Sequence, residues 1–278
     1  MNMNYLKTFT LMAVLTIIFV LIGNYIGGNV GMIYAFCFAL FLNFFSYWFS
    51  DKIVLAMYGA RPVTKEQAPK LYNMVHNLAI KAGLPMPKLY IIEDNMANAF
   101  ATGRDHHHAA VAVTRGILNI LDDKELEAVI AHELSHIKNY DILIGTLAAT
   151  IAGAITMLAR MAFFFGGSNN DNRGNALAMF LLLFLAPLAA LLIQLAISRS
   201  REYAADNGSA DITGRPHSLI SALEKLHAMA KRTNVAHIDP ATSHMLIVNP
   251  FRGDFLASLF STHPTLEQRK RNLMKRIK

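Results

Sequence analysis

Charged residues are scarce in this chain, and two long stretches contain none. Asp, Glu, Lys and Arg make up 16% of the 278 residues, whereas an ordinary soluble domain carries about 25%. All four are absent from residues 8–50 and 174–198. Because a helix needs about 20 apolar residues to cross the hydrocarbon core, these gaps exclude an ordinary soluble globular protein and indicate membrane spans.

Cysteine is almost absent as well. The single cysteine, Cys37, lies inside the first uncharged stretch, which excludes an internal disulfide and fits polar parts that face a reducing cytoplasm. The formal net charge of +7 does not predict a nucleic-acid partner. Much of that excess lies after residue 198, and Lys and Arg are expected on the cytoplasmic side of a membrane protein.

Four apolar segments are long enough to span a bilayer. Residues 8–26 and 31–49 predict a helical hairpin around a turn at 27–29, and residues 142–166 and 176–198 predict a second pair. A cleaved signal peptide is a weaker interpretation, because the first apolar run is too long and no small-x-small cleavage site follows it. Arg160 and Pro187 interrupt the second pair, so these segments either cross fully or pack partly against the protein.

The distribution of Lys and Arg predicts the orientation. Residues 51–141 hold ten and residues 199–278 hold thirteen, whereas the hairpin turn holds none and residues 167–175 hold only Arg173. The positive-inside rule therefore places both polar segments and the amino terminus in the cytoplasm. We expect a hairpin over 1–50, a first cytoplasmic part over 51–141, two spans over 142–198 and a second cytoplasmic part over 199–278.

The polar segments mix helix with a little sheet. Apolar residues recur at helical spacing over 62–83, and a second helix begins near Asp122, a plausible N-cap with Glu125 at the capping-box position. Two runs are rich in β-formers, Lys88–Ile92 and Ala109–Thr114, and residues 95–103 between them are small and turn-prone. We expect Ala109–Thr114 to be an edge strand that lines a cleft and pairs with an extended peptide.

The second helix carries the residues of a catalytic metal site. His132 and His136 are four residues apart, so they lie about 40° apart around the helix and roughly 6 Å along it. Both imidazoles can therefore meet one tetrahedral zinc ion, with Glu133 beside it as a general base that takes the proton of water. A polar helix face is the ordinary alternative, because a five-residue match has a real false-positive rate.

A third ligand is available after the fourth apolar segment. Catalytic zinc sites usually take three protein ligands. Glu202 lies in the polar stretch just after the fourth apolar segment, and it is therefore expected on the same side of the membrane as His132. Asp206 shares a helical face with Glu202 and is placed to accept the free N–H of a histidine ligand. The alternative is a solvated helix start, since Arg199 and Arg201 are close in sequence.

These motifs, in this order, resemble those of the bacterial HtpX heat-shock membrane proteases, relatives of the CAAX prenyl endopeptidases. The quoted segments are Asn98-Ala-Phe-Ala-Thr-Gly103, His132-Glu-Leu-Ser-His136, Glu202-Tyr-Ala-Ala-Asp206 and Thr262-His-Pro264. The resemblance implies a mainly α membrane protein of the bacterial inner membrane, with a cytoplasmic gluzincin-type α+β metallopeptidase domain and a small β-sheet. It also implies one Zn²⁺ per chain held by His132, His136 and Glu202, and quality-control cleavage of misfolded membrane proteins.

Several further roles follow only from this resemblance. Asn98 and Ala99 resemble contacts to the substrate backbone, although Asn98 serves equally well in a structural turn. His263 resembles a histidine that steadies an oxyanion, or else it simply precedes Pro264 at a helix start. The expected partners are the lipid bilayer and unfolded or membrane protein substrates, with a homo-oligomer and other quality-control proteases as further possibilities.

Two other polar segments are not assigned to the catalytic site. The run 105–108, Asp-His-His-His, predicts an exposed loop, because adjacent side chains on an extended chain point to alternate faces and cannot easily share one ion. The basic segment 267–276 predicts either a helix near anionic lipid or a solvated face.

Three rival functions are less consistent with the sequence. A scaffold with structural zinc would require four protein ligands, usually with cysteine. An intramembrane protease of the site-2 type would carry its motif inside an apolar span, whereas charged residues surround His132. A zinc transporter would place His or acidic residues within the spans, and none occurs there.

Overall fold

The computed structural model describes residues 3–147, 150, 199–230, 246–247 and 264–277. The third and fourth predicted spans, apart from residues 142–147 and 150, lie outside this part of the chain, as do the loop at 167–175 and His263. The described helices are α1 (Met3–Met57), α2 (Pro69–Ala82), α3 (Arg115–Ile120), α4 (Asp123–Lys138), α5 (Arg199–Thr213), α6 (Pro216–Ala230) and α7 (Leu266–Met274).

The amino-terminal part of the chain folds back on itself within α1, and Asn43 Nδ2 donates to the Met12 carbonyl at 3.2 Å and to Thr16 Oγ1 at 2.9 Å across the two limbs. Gly27 and Gly28 have non-helical dihedrals that break the helix, and the φ of 57° at Gly28 is one that glycine adopts without steric penalty. The second limb, Gly27–Met57, is long and apolar enough to cross a membrane, and the first limb contains a shorter apolar helix at Thr8–Leu21. Four crossings and a cytoplasmic orientation remain predictions.

A small mixed sheet of four strands lies beside the helices, with the order β1-β2-β4-β3. The strands are β1 (Arg61–Pro62), β2 (Lys88–Ile92), β3 (Ala99–Gly103) and β4 (Ala109–Thr114). β4 pairs in parallel with β2 and antiparallel with β3.

The prediction that Ala109–Thr114 forms an edge strand was wrong. β4 pairs on both sides and is buried along its whole length, whereas β3 lies at the edge of the described sheet. β3 occupies the segment that we expected to be only turn-prone. Pairing with β4 offsets the weak β-propensity of its alanines and glycine, because strand propensity depends strongly on tertiary context.

The helices pack around α4, which contacts α2, α5 and α6. α4 begins at the predicted capping box, in which Asp122 and Glu125 bond to each other's backbone N–H groups. Glu125 also accepts hydrogen bonds from Ser221 and Lys225 of α6, both at 2.6 Å. The apolar residues predicted for α2 and α4 are buried: Leu71, Met74, Val75, Leu78, Leu126, Val129, Ile130, Leu134 and Ile137. This core fixes the axis of α4.

The basic carboxyl-terminal segment forms α7, and its cations pair mainly within the protein. Lys270 lies 2.6 Å from Glu224, and Arg276, just beyond the helix, lies 2.7 Å from Asp211. Of the two predicted interpretations, these pairs favour a protein-bound, partly solvated face over contact with lipid.

Candidate active site

Helix α4 brings His132 and His136 together as predicted. Their Nε2 atoms are 3.2 Å apart, and both nitrogens point to the same space beside the helix. His132 and the intervening Glu133 are buried. The spacing of one helical turn therefore brings two imidazole nitrogens together at a largely buried position, as a shared metal site requires and a solvated polar face does not.

Helix α5 adds Glu202 to the pair. One carboxylate oxygen lies 3.7 Å from His132 Nε2, and the other lies 3.5 Å from His136 Nε2. The two helices approach closely because residue 208 is glycine: a β-carbon there would overlap the Ser135 side chain. Helix contact, not sequence proximity, therefore positions the third group.

The donor set fits a zinc ion. One ligand atom from each of His132, His136 and Glu202 can be chosen so that all three lie within 4.8 Å of one another, and each histidine Nε2 lies within 3.7 Å of an oxygen of the Glu202 carboxylate. Two imidazoles and one carboxylate are also a donor set that occurs at catalytic zinc.

The Nδ1 atom of His132 is held by a buried carboxylate, as the sequence predicted. It lies 3.0 Å from Asp206 Oδ1. Asp206 is in turn bound by both Arg269 Nε, at 3.0 Å, and Arg269 Nη2, at 2.6 Å. Burial alone would raise the pKa of the Asp206 carboxyl, but Arg269 and the hydrogen bond with His132 hold that pKa below its usual range.

Sequence reasoning missed Arg269. It was assigned to a basic, solvent-facing or lipid-facing run, yet it is buried beneath the site and also donates to the Ile247 carbonyl. A signal was present: Arg269 lies between Leu266 and Leu273 on one face of α7, and Leu273 is fully buried. An arginine on an apolar helical face requires a buried carboxylate partner.

A second carboxylate, Asp141, holds His136, and sequence reasoning gave it no role in the site. His136 Nδ1 lies 3.1 Å from Asp141 Oδ2. The chain reverses through Tyr140, a non-glycine residue with a φ of 59°, and the Asp141 N–H then bonds to the His136 carbonyl. Asp141 was hard to find because it acts from beyond the helix end, where helical spacing no longer applies.

Glu133 lies between the histidines and the sheet. Its Oε2 accepts the backbone N–H of Ala101 in β3 at 2.9 Å. Burial raises the pKa of the Glu133 carboxyl, although the neighbouring histidines oppose the shift. Burial also disfavours charged His136, but the hydrogen bond to Asp141 and the charges of Glu202 and Glu133 outweigh it and raise the pKa of His136 to about 9.

The other predicted site residues lie apart from this cluster. Asn98 is buried, and its Oδ1 accepts the Ile247 N–H at 3.1 Å, while Ala99 is buried at the start of β3. His263 lies outside the described residues. Roles for these three in substrate binding or catalysis stay predictions.

The 105–108 segment makes separate contacts and not a shared ligand set. Asp105 accepts hydrogen bonds from the His107 and His108 backbone N–H groups and contacts the His108 ring. His106 stacks on Tyr140 with ring centroids 3.9 Å apart. These contacts agree with the predicted loop.

Comparisons with known proteins agree with the geometry. The pattern of peptidase family M48 matches residues 65–277. The chain is 54% identical over 274 residues to a protease HtpX homolog of Ralstonia pickettii, covering 98% of this chain and 96% of that protein. It is 53% identical over 281 residues to a protease HtpX homolog of a Sulfurihydrogenibium species, covering 97% and 95%.

A solved structure shares the fold. The crystal structure of S. mikatae Ste24p superposes with a TM-score of 0.53 at 20% identity, covering 97% of this chain. The chain spans 65% of the length of that protein.

Proposed function

The chain belongs to peptidase family M48 and is a membrane metalloprotease, and on this premise we propose that it cleaves unfolded or damaged membrane proteins from the cytoplasmic side of the bacterial inner membrane. His132, His136 and Glu202 hold the zinc ion on which this family in general depends. The observation that carries the proposal is the convergence of both Nε2 atoms and the Glu202 carboxylate on one point, with Glu133 beside it.

Each group near that point has a distinct task. Bound zinc supplies Lewis-acid activation of water and of the scissile carbonyl. Glu133 accepts the proton of the attacking water and then delivers it to the leaving amine. Asp206 and Asp141 accept the Nδ1–H of His132 and His136, which keeps each Nε2 lone pair free for the metal.

The edge strand β3 is the proposed site for substrate. Its antiparallel pairing with β4 directs the N–H groups of Ala101 and Gly103 away from β4, where they meet Glu133 and Thr146 respectively. An extended peptide added along this edge would run past Glu133. Recognition through backbone groups suits cleavage of many unrelated unfolded segments.

The cytoplasmic orientation is supported by the position of α4. Charged residues surround the zinc motif, and the chain continues from α4 directly into the apolar segment that begins at residue 142. The site therefore lies at a membrane surface, and the positive-inside rule favours the cytoplasmic one.

Two variants compared at the same site test the mechanism. Glu133→Gln keeps the three ligands but cannot take a proton, so cleavage of an unfolded protein should fall by about 10²–10⁴-fold with unchanged zinc content. His132→Ala removes a ligand and should lower both cleavage and zinc content. Metal analysis and cleavage of a casein-type substrate, with and without a chelator, measure both quantities in detergent.

The contrast between the variants decides the outcome. A Glu133→Gln protein that cleaves as fast as the parent at equal zinc content contradicts the role of Glu133. Equal cleavage by the chelated and the zinc-loaded parent contradicts the metal dependence.

A further inference from the structure

A cavity of about 390 Å³ lies between the end of α1 and the β3–β4 hairpin, away from the zinc site. Its volume is within the range of small-ligand sites, about 300–1,000 Å³. Aromatic and cationic side chains make up much of its lining: Phe44, Trp48, Phe49, Lys52, Lys88 and Arg104. We call this space the headgroup cavity.

The aromatic side of the headgroup cavity lies at the level of a membrane interface. The second limb of α1 starts at the Gly27–Gly28 turn, and a helix covers about 30 Å, the thickness of the hydrocarbon core, in roughly 20 residues. That length ends near Trp48 and Phe49. Phe44 is 61% exposed and Trp48 43% exposed, as is typical of aromatic residues that form a belt at lipid headgroups.

The polar side of the headgroup cavity has an excess of positive charge. Lys52, Lys88 and Arg104 face one carboxylate among the lining residues, that of Asp51. Within the described residues, neither Lys52 nor Lys88 forms an ion pair. Two lysines are thus available to an anionic ligand.

Arg104 is held in place at the mouth of the β3–β4 hairpin. Its guanidinium lies over the Trp48 ring, 4.5 Å from the centroid, and Lys52 lies 5.3 Å from the centroid of Phe49. The Asp105 carboxylate is 3.6 Å from Arg104 Nε but lies closer to His108 Nδ1, at 2.8 Å. A planar guanidinium fixed by stacking retains N–H donors for a bidentate contact with a phosphate.

From these features we propose that the headgroup cavity binds the phosphate of an anionic phospholipid. Arg104, Lys52 and Lys88 contact the headgroup, and Phe44 and Trp48 contact the glycerol and upper acyl region. A soluble phosphate would use the cations but not the exposed aromatic side, so the combination selects lipid. Because α1 and the β3–β4 hairpin both line the cavity, the bound lipid links the sheet that carries the proposed substrate edge to the membrane surface.

Native mass spectrometry of the zinc-loaded, full-length protein in detergent tests this site. The protein is titrated separately with phosphatidylglycerol, phosphatidylcholine and inorganic phosphate. Phosphatidylglycerol should be retained more tightly than phosphatidylcholine, and inorganic phosphate should not displace it. Lys88→Gln with Arg104→Gln should weaken phosphatidylglycerol retention by about 5-fold for each cation removed.

A matched double variant controls for net charge. Lys81→Gln with Lys124→Gln removes two exposed lysines that do not line the headgroup cavity, and Lys124 lies in the first turn of α4, about 21 Å along the helix from Lys138. This control should retain phosphatidylglycerol as the parent does. The single Lys88→Gln variant, which alters only an exposed side chain, gives a readout if the double variant is poorly folded.

Three results would overturn the proposal. One is equal retention of the two lipids by the parent. Another is displacement of phosphatidylglycerol by inorganic phosphate, which would identify a site for free phosphate. The last is an equal loss of retention in the cavity variants and in the control.

Discussion

The two histidines of the site are supported in different ways. His132, with 4% of its side chain exposed, is held by Asp206, which has none exposed, and Asp206 is bound by Arg269 of α7. His136, with 16% exposed, is held by Asp141 from the turn that directly follows α4. One support joins three helices, whereas the other comes from the turn after α4, with Arg201 Nε of α5 at 3.8 Å from the Asp141 carboxylate.

Because of this difference, we expect the loss of either support to lower the free energy of unfolding by a different amount. A buried carboxylate requires a charged partner, because desolvation penalises an unpaired ion by several kcal/mol. Asp206 therefore depends on Arg269. Asp141 is also buried, but its cation is farther away: Arg201 Nε lies 3.8 Å from it, whereas Arg269 Nη2 lies 2.6 Å from Asp206. Replacing Asp141 should therefore cost less stability than breaking the Arg269–Asp206 pair.

The largest effect is expected for Arg269→Met. It leaves the Asp206 carboxylate buried without its guanidinium partner, and losing one member of a buried pair typically costs about 3–5 kcal/mol. Thermal or urea denaturation in detergent should show this loss of stability, with zinc content falling as well. Asp206→Asn combined with Arg269→Met should be more stable than Arg269→Met alone, and the opposite order would contradict the pairing.

The next effect is expected for Asp206→Asn. The amide can still contact His132 but carries no charge, so zinc affinity or turnover should fall by about 10–100-fold. Competition with a chelator of known affinity measures the first quantity. Unchanged zinc affinity together with unchanged turnover would remove Asp206 from the site.

A smaller effect is expected for Asp141→Asn, and it should appear in the number of protons released when zinc binds. With a pKa raised to about 9, His136 is protonated at neutral pH in the metal-free protein and must lose that proton when zinc binds. The amide can still accept the His136 Nδ1–H, but it lacks the negative charge of Asp141 that helps to raise this pKa, while burial continues to lower it. Fewer protons should therefore be released on zinc binding at pH 7.

Calorimetry in two buffers of different ionisation enthalpy counts the released protons. Zinc affinity should fall by about 10-fold, the lower end of the range for such partners. A larger loss of zinc affinity in Asp141→Asn than in Asp206→Asn would show that the support of His136, and not that of His132, matters more for zinc binding.

The residues that sequence predicted well are those whose positions depend on local geometry. The capping box at Asp122 starts α4, and helical spacing then fixes the relation of His132 to His136. The four-residue spacing of Glu202 and Asp206 likewise places both on one face of α5. These features need only the regular geometry of a helix.

The features that sequence missed depend on contacts between distant segments. Arg269 meets Asp206 across 63 residues of sequence, and the charges beside it in the chain resemble a solvated face. The central position of β4 was missed because the preceding segment was not recognised as a strand: β3 pairs with β4 as a hairpin on one side, and β2 pairs with it on the other. No periodicity within either strand contains that information.

The smallest effect concerns the turn that delivers Asp141. Tyr140 has a φ of 59°, and a non-glycine residue in this left-handed region costs about 1–2 kcal/mol. Tyr140→Gly and Tyr140→Ala both remove the ring that stacks on His106, but only glycine relieves the backbone. The glycine variant should therefore be more stable than the alanine variant by about 1 kcal/mol in denaturation experiments. Both variants should retain zinc, because the turn still directs Asp141 to His136, and neither should alter the His132 side, which takes no support from this turn. An alanine variant at least as stable as the glycine variant would show that the left-handed turn is not strained, and the local support of His136 would then depend on the Tyr140–His106 stack.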